Sequence, residues 1–264
     1  MKLRLLALVT SLVAGLTQPI ANAQMSTAHN KPTIVLVHGA FADSSSWNGV
    51  VARLSADGFK VVAAANPLRG VASDARYVAS VLDSITGPVV LVGHSYGGTV
   101  ISGAAVSKPQ VRSLVYVAAF APDEGETVAQ LAGKFPGGTL GEALAAPVPL
   151  PDGGADLYID QGKFWQQFAA DVPQAEARGM AATQRPVAET ALGEPSGMAA
   201  WKKLPSYFVY GTADLNIPAA ALGFMAERAR SRKTVVVEGA SHVVMTSHPH
   251  VVAALIEEAA NANP

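Results

Sequence analysis

Gly93-His94-Ser95-Tyr96-Gly97-Gly98 follows the apolar run at residues 88–92 (PVVLV). It precedes residues 99–106 (TVISGAAV), a small-residue stretch suited to a closely packed helix. The order is strand, tight turn, helix, with a serine at the turn. Gly93, Ser95 and Gly97 match the Gly-x-Ser-x-Gly elbow. Such a turn is strained and lifts the serine hydroxyl above the sheet. Small residues on either side let strand and helix approach. The helix starting there adds free N–H groups and a dipole that favour negative charge.

The same alternation extends outward from this turn. Residues 33–37 (TIVLV), 60–65 (KVVAAA), 111–119 (VRSLVYVAA), 206–210 (SYFVY) and 234–238 (TVVVE) are short, continuous apolar runs, the mark of strands covered on both faces. Trp47, Val50, Val51 and Leu54 share helical spacing, as do Ala75, Val78, Ala79 and Leu82. Ser44–Ser46 and Ser73 are candidate helix caps. Two further helices follow the last two strands. Six strands alternating with helices predict a parallel α/β sheet, with ligands gathering at the carboxyl ends of its strands. Candidate functional segments stand there: His38 to Phe41, the elbow, Gly211 to Asp214, and Gly239 to His242.

A serine hydroxyl is a weak nucleophile until a base touches it, and an imidazole base needs a carboxylate to hold its tautomer. His242 in VEGASHVVM is the candidate base, on a loop past a predicted strand end. Asp214 in YGTADLNIP is the first candidate for the acid, and Asp123 in FAPDEGE the second. A tetrahedral oxyanion needs two preorganised donors. The amide of Tyr96, just after the serine, is one; the other comes from the loop after the first strand, from Ala40 or Phe41. His38 is expected to order that loop and His94 to pack beneath the elbow. His248 and His250 flank Pro249 and read as surface residues.

The order Ser95, Asp214, His242 and the motifs LVHGAF, VVLVGHSYGGTVISGAA, YGTAD and GASHVVM resemble the α/β-hydrolase superfamily, compact bacterial esterase type. The methylesterase and hydroxynitrile-lyase branch is similar too. The likeness runs from Lys31 to Ile256 and is weak between Ala121 and Leu204. It implies an α/β-hydrolase fold with a mostly parallel six-stranded sheet, flanked by helices, and a helical lid inserted before the strand that carries the acid. It implies Ser95 as nucleophile, His242 as base and then acid, Asp214 as orienting carboxylate, and Tyr96 and Ala40 as oxyanion donors. The usual sheet of that family has eight strands, and the leader here is too short for the first two. Asn66 stands where the loop after the second strand often carries an aspartate.

Residues 1–23 read as a secretory signal: Lys2 and Arg4, then an apolar core too short to span a bilayer, then Pro19 and the small-x-small site Ala21-Asn22-Ala23. Cleavage leaves 241 residues with 17 basic against 20 acidic side chains, about −3. The expected domains are 24–120 with 202–264 as the core and 121–201 as the lid. The destination is the periplasm or the exterior. The weak negative charge gives no footing for nucleic acid or an anionic membrane. There is no cysteine, hence no disulfide framework or thiolate site. No phosphate-binding glycine fingerprint follows a strand, so no nucleotide or flavin cofactor is expected, and with His248 and His250 read as surface residues no metal is expected either.

The expected partner is a small-molecule ester. Phe41, His94, Phe120, Phe164, Trp165, Phe168 and Val243 are the candidate pocket residues. Pro136-Gly137-Gly138 and Pro151-Asp152-Gly153-Gly154 are candidate lid hinges. Few basic residues fall in the lid, against a highly anionic substrate. Carbon–carbon hydrolysis, lactone opening, amide cleavage and cofactor-free perhydrolysis use the same constellation and stay open, as does a non-catalytic small-molecule receptor.

Overall fold

The computed structural model describes residues 31–151 and 153–262. The signal-peptide reading, the new N-terminus near Gln24, and Asp152 of the second hinge lie outside the described residues. In chain order the first half contains β1 (Thr33–Val37), a 3-10 turn (Ser44–Trp47), α1 (Asn48–Ala56), β2 (Val61–Ala64), α2 (Val71–Asp83), β3 (Val89–His94), α3 (Tyr96–Ala104) and β4 (Val111–Val117). An inserted segment follows, with α4 (Val128–Ala132), α5 (Leu140–Ala143), β5 (Val148–Pro149), β6 (Ala155–Leu157), α6 (Gln161–Phe168), α7 (Gln174–Thr183), β7 (Val187–Ala188), α8 (Glu189–Gly193) and a 3-10 turn (Ala200–Lys202). The body resumes with β8 (Ser206–Gly211), α9 (Ala219–Arg228), β9 (Lys233–Val237), α10 (Val244–Ser247) and α11 (Pro249–Asn261).

The main sheet has six strands in the order β2-β1-β3-β4-β8-β9, all pairs parallel. This is the α/β-hydrolase fold expected from the sequence. Every residue of β1 and β3 is buried, because helices cover both faces and leave no solvent side to alternate with. The chain leaves β1 for β2 on one side and returns to β3 on the other, so the direction of winding reverses between β1 and β3. A crevice opens at such a point beyond the strand ends. The elbow and the loop after β1 both stand there.

The insertion is less purely helical than its sequence suggests, for β5, β6 and β7 form a small antiparallel sheet. Two- and three-residue strands leave too little periodicity to read from sequence. The insertion is bonded to the body around its edge. Ala188 N–H donates to Leu68 O at 2.9 Å, Arg69 pairs with Asp156 at 2.6 Å, and Arg228 pairs with Glu126 at 2.8 Å.

Both serine-cap expectations are corrected. Asp43, not Ser44–Ser46, caps the turn before α1, accepting from Ser45 N–H at 2.7 Å. The N-terminus of α2 is held by Glu194 of the insertion, which accepts from Val71 N–H at 2.6 Å and Ala72 N–H at 3.1 Å. Ser73 instead donates to Gly70 O. A carboxylate that lies over a helix start stabilises the free amides and the positive end of the dipole together.

Candidate active site

Ser95 sits between β3 and α3 with φ 53° and ψ −124°, a backbone conformation that costs on the order of 1–3 kcal/mol for a non-glycine residue. The surrounding bonds hold it there. Ser95 N–H donates to Val117 O at 3.2 Å, and Ser95 O accepts from Gly98 N–H at 2.9 Å and Phe120 N–H at 3.1 Å. The neighbouring glycines are sterically required. A Cβ on Gly97 would lie 2.5 Å from Val37 O, and one on Gly93 would lie 2.6 Å from Gly97 O.

His242 and Asp214 meet although 28 residues apart. The two side chains are buried, and His242 Nδ1 lies 2.7 Å from Asp214 Oδ2. A carboxylate accepts only, so Nδ1 carries a proton, and in the neutral ring the free lone pair is that of Nε2. Among the described residues Nε2 has no hydrogen-bond partner. Asp214 Oδ1 accepts from Asn216 N–H at 2.8 Å and Ile217 N–H at 2.9 Å, which fixes the carboxylate. Asp123, the other candidate acid, pairs with Lys202 instead. Gly211 makes the meeting possible, since a Cβ there would fall 2.0 Å from Ala240 O, two residues before His242.

Three histidines share this end of the sheet, and their partners set their tautomers. His38 Nε2 accepts from Asn66 N–H at 2.9 Å, so Nδ1 carries the proton and donates to Gly39 O at 2.9 Å. Asn66 Nδ2 donates back to His38 O at 2.9 Å. His38 thus ties β1's exit loop to β2's, and burial pushes its pKa down to about 4. His94 Nε2–H donates to His242 O at 3.1 Å. Burial first, and then the neighbouring His242, hold His94 well below the usual histidine range. Its ring centroid is 4.8 Å from that of His242. His94 therefore braces the His242 loop from beneath as a neutral ring.

The loop after β1 resolves the two oxyanion candidates. Phe41 has φ 60°, and its N–H donates to Arg185 O of the insertion at 3.0 Å. That amide is committed, which corrects Phe41 as a donor and leaves Ala40. On the other side Tyr96 begins α3, where an amide has no partner within the helix. Its phenol donates to Asp74 Oδ2 at 2.9 Å, deep in the body. Asp74 also accepts from Arg69 N–H and Gly70 N–H, and burial raises its pKa.

Ser95, Ala40, Phe41, Tyr96 and Phe120 line one side of a cavity of about 320 Å³. The opposite wall is aliphatic and comes from the insertion: Val128, Ala129, Ala132, Leu140, Leu144 and Leu192. Asn216 and Ile217 close it. The remaining candidate pocket residues stand outside this lining. Phe168 packs against His242, with ring centroids 5.1 Å apart, and edge-on to Phe41 and His94. Phe164 packs against Phe168 with its ring tilted, centroids 4.9 Å apart. Trp165 turns to Val172 O, and Val243 is fully buried. These rings wall off the imidazole rather than the cavity, because α6 docks over the His242 loop. The sequence reading missed Asn216, although it stands in the quoted YGTADLNIP.

A family model described as the alpha/beta hydrolase family matches residues 34–255. A carbendazim hydrolyzing esterase of Nocardioides is 36% identical over 54% of this chain and 69% of its own length. A pimeloyl-[acyl-carrier protein] methyl ester esterase of Aeromonas hydrophila is 28% identical over 86% of this chain and 94% of its own. Among solved structures, polyneuridine aldehyde esterase superposes with a TM-score of 0.75 at 18% identity, covering 86% of this chain and 98% of that one, which speaks for the fold. A pyrethroid hydrolase from Sphingobium faniae superposes with a TM-score of 0.68 at 25% identity, covering 88% and 98%.

Proposed function

From the premise that the chain belongs to the alpha/beta hydrolase family and is an esterase-like hydrolase, we propose that it cleaves carboxylic esters of small to medium apolar compounds through an acyl-enzyme on Ser95. The observation that carries this reading is the buried His242–Asp214 pair, whose Nε2 has no partner among the described residues, at the same end of the sheet as the strained Ser95. His242 takes the Ser95 proton as the hydroxyl attacks the ester carbonyl, and a tetrahedral oxyanion forms between the amides of Tyr96 and Ala40. His242 then gives that proton to the departing alcohol. Water, deprotonated by the same nitrogen, attacks the acyl-enzyme, and collapse of the second tetrahedral species releases the acid and restores Ser95. Asp214 keeps the imidazole oriented and stabilises its cation.

The aliphatic wall supports an apolar substrate, and the cavity is at the small end of ligand sites. Labelling with a fluorophosphonate, followed by peptide mapping, tests the assignment: the adduct is expected on Ser95 and is lost in Ser95→Ala. An unlabelled protein that hydrolyses p-nitrophenyl esters would overturn it. The basic, apolar, small-residue pattern of residues 1–23 supports export to the periplasm or the exterior. Mass measurement of the protein from its host's extracytoplasmic fraction is expected to give an N-terminus at Gln24; an intact Met1 there would refute it.

A further inference from the structure

Two strand-exit loops reach the active-site end of the sheet, and each holds a bulky residue in the left-handed region. Phe41, after β1, has φ 60°, and Leu68, after β2, has φ 61°. Neither is a glycine, so such a conformation persists only where the surrounding structure holds it. Both are tied by a backbone bond to one short stretch of the insertion. Phe41 N–H donates to Arg185 O at 3.0 Å, and Leu68 O accepts from Ala188 N–H at 2.9 Å. Residues 185–188 are therefore a strap across both loops. One side chain fastens it. Arg69 Nη2 donates to Pro186 O at 3.0 Å, Nη1 to Asp156 Oδ1 at 2.6 Å, and Nε back to Pro67 O at 3.2 Å. Asp156 stands opposite Ala188 in the β6–β7 pair, so the guanidinium grips the strap and the strand beside it together.

The bonds of Arg69 lead towards both oxyanion donors. On one side Pro186 follows Arg185, whose carbonyl holds the peptide just after Ala40. On the other, Arg69 N–H donates to Asp74 Oδ2 at 3.1 Å, and the same oxygen accepts from the Tyr96 phenol at 2.9 Å. The β1 exit loop has no slack against the nucleophile, since a Cβ on Gly39 would lie 2.6 Å from Ser95 Cβ. We propose that Arg69 is a positioning residue of the oxyanion hole, fastening the insertion to the two exit loops so that the amides of Ala40 and Tyr96 keep their spacing. This rests on the ester-hydrolase reading. Arg69 touches no reacting atom. A guanidinium suits the role because its planar fork reaches several acceptors in fixed directions. Its side chain is 41% exposed, so the ion pair adds little to stability. Rate is the sensitive quantity, because a donor displaced by about 1 Å already weakens its hold on the oxyanion.

Arg69→Ala, Asp156→Ala and the double variant test this on p-nitrophenyl butyrate. In Arg69→Ala kcat is expected to fall about tenfold to a hundredfold, with KM within about threefold and the urea midpoint nearly unchanged. Asp156→Ala should fall in the same direction, and the double variant should be no slower than Arg69→Ala, because the two side chains act as one unit. A second readout isolates the oxyanion. Trifluoromethyl hexyl ketone adds Ser95: the Oγ–carbon bond forms, the carbonyl π pair moves onto oxygen, and the hydroxyl proton passes to His242. Methyl hexyl ketone fills the cavity without that addition. Inhibition by the first should weaken in step with kcat, while inhibition by the second holds. Glu126→Gln is the control. It weakens another insertion–body pair, with Arg228, whose bonds run to Asp123 and Ala121 rather than to either exit loop, so kcat should stay within about threefold. An unmoved kcat in Arg69→Ala, a loss confined to KM, or an equal loss of kcat in Glu126→Gln would overturn the inference, while a fluorophosphonate adduct on Ser95 would keep the ester-hydrolase reading. If circular dichroism shows Arg69→Ala unfolded, Asp156→Ala decides by the same criteria. A wild-type protein with neither ester turnover nor adduct would overturn both.

Discussion

Gly211→Ala adds one methyl group at the carboxyl end of β8 and is expected to cripple turnover without touching a reacting residue. The new Cβ would lie 2.0 Å from Ala240 O, 2.5 Å from Ala240 C and 2.9 Å from Ala240 Cβ. Carbon and oxygen do not approach closer than about 3 Å, so one backbone must retreat by about 1 Å. The Ala240 carbonyl cannot give freely, since it accepts from Ala213 N–H at 3.1 Å. Ala213 precedes Asp214, and Ala240 stands two residues before His242. The retreat therefore separates the two partners of the 2.7 Å Nδ1–carboxylate bond. A misplacement of about 1 Å at a catalytic group lowers rates roughly a hundredfold, and overpacking costs about 1–3 kcal/mol of stability. The assay is kcat and KM on a p-nitrophenyl ester, with urea unfolding in parallel. The loss should fall on kcat, and the urea midpoint should drop while the protein stays folded. Gly179→Ala is the control. No atom lies within 4 Å of a Cβ there, in the interior of α7, so activity should hold and stability gain about 0.5–1 kcal/mol. Gly211→Ala with kcat within threefold of wild type and an unchanged midpoint would refute the reasoning.

Other outcomes follow from the same geometry. Asp214→Asn should lower kcat on the order of 10⁴-fold, since the amide can donate to Nδ1 and hold the wrong tautomer; a loss below tenfold would mean that the carboxylate does not orient His242. Acid should destabilise the fold. The unfolded His38 ring takes a proton near pH 6.5, whereas the folded ring resists until about 4. Between those values the unfolded chain binds more protons, so stability is complete above about pH 6.5 and falls as pH drops towards 4, by about 3 kcal/mol from His38. His94 acts in the same direction, and the raised pKa of Asp74 opposes them at the acid end. Equal urea midpoints at pH 7.5 and pH 5 would contradict this. Glu194→Ala should cost about 1 kcal/mol by uncapping α2, read as a lower urea midpoint, with kcat little changed; an unmoved midpoint would show that solvent replaces the carboxylate.

The six apolar runs, the strand-turn-helix around Ser95, and the order of serine, aspartate and histidine were all legible in one dimension. Burial on both faces and a strained turn constrain residues that are covalent neighbours, so their pattern is written locally. What touches what across the insertion was not. The sequence left Ala40 and Phe41 open until Arg185, 144 positions beyond Phe41, took the Phe41 amide. It left Asp123 open until Lys202 claimed that carboxylate. It expected Phe164 and Phe168 in the pocket, where the docking of α6 set them around His242. The tautomer of His38 waited on Asn66. Each of these depends on how two distant segments are brought face to face, a matter of loop path and packing that periodicity does not encode. The sequence alone thus determined a parallel sheet with a nucleophile candidate at its edge. Only the tertiary structure decided which amide is spoken for and which carboxylate meets the imidazole.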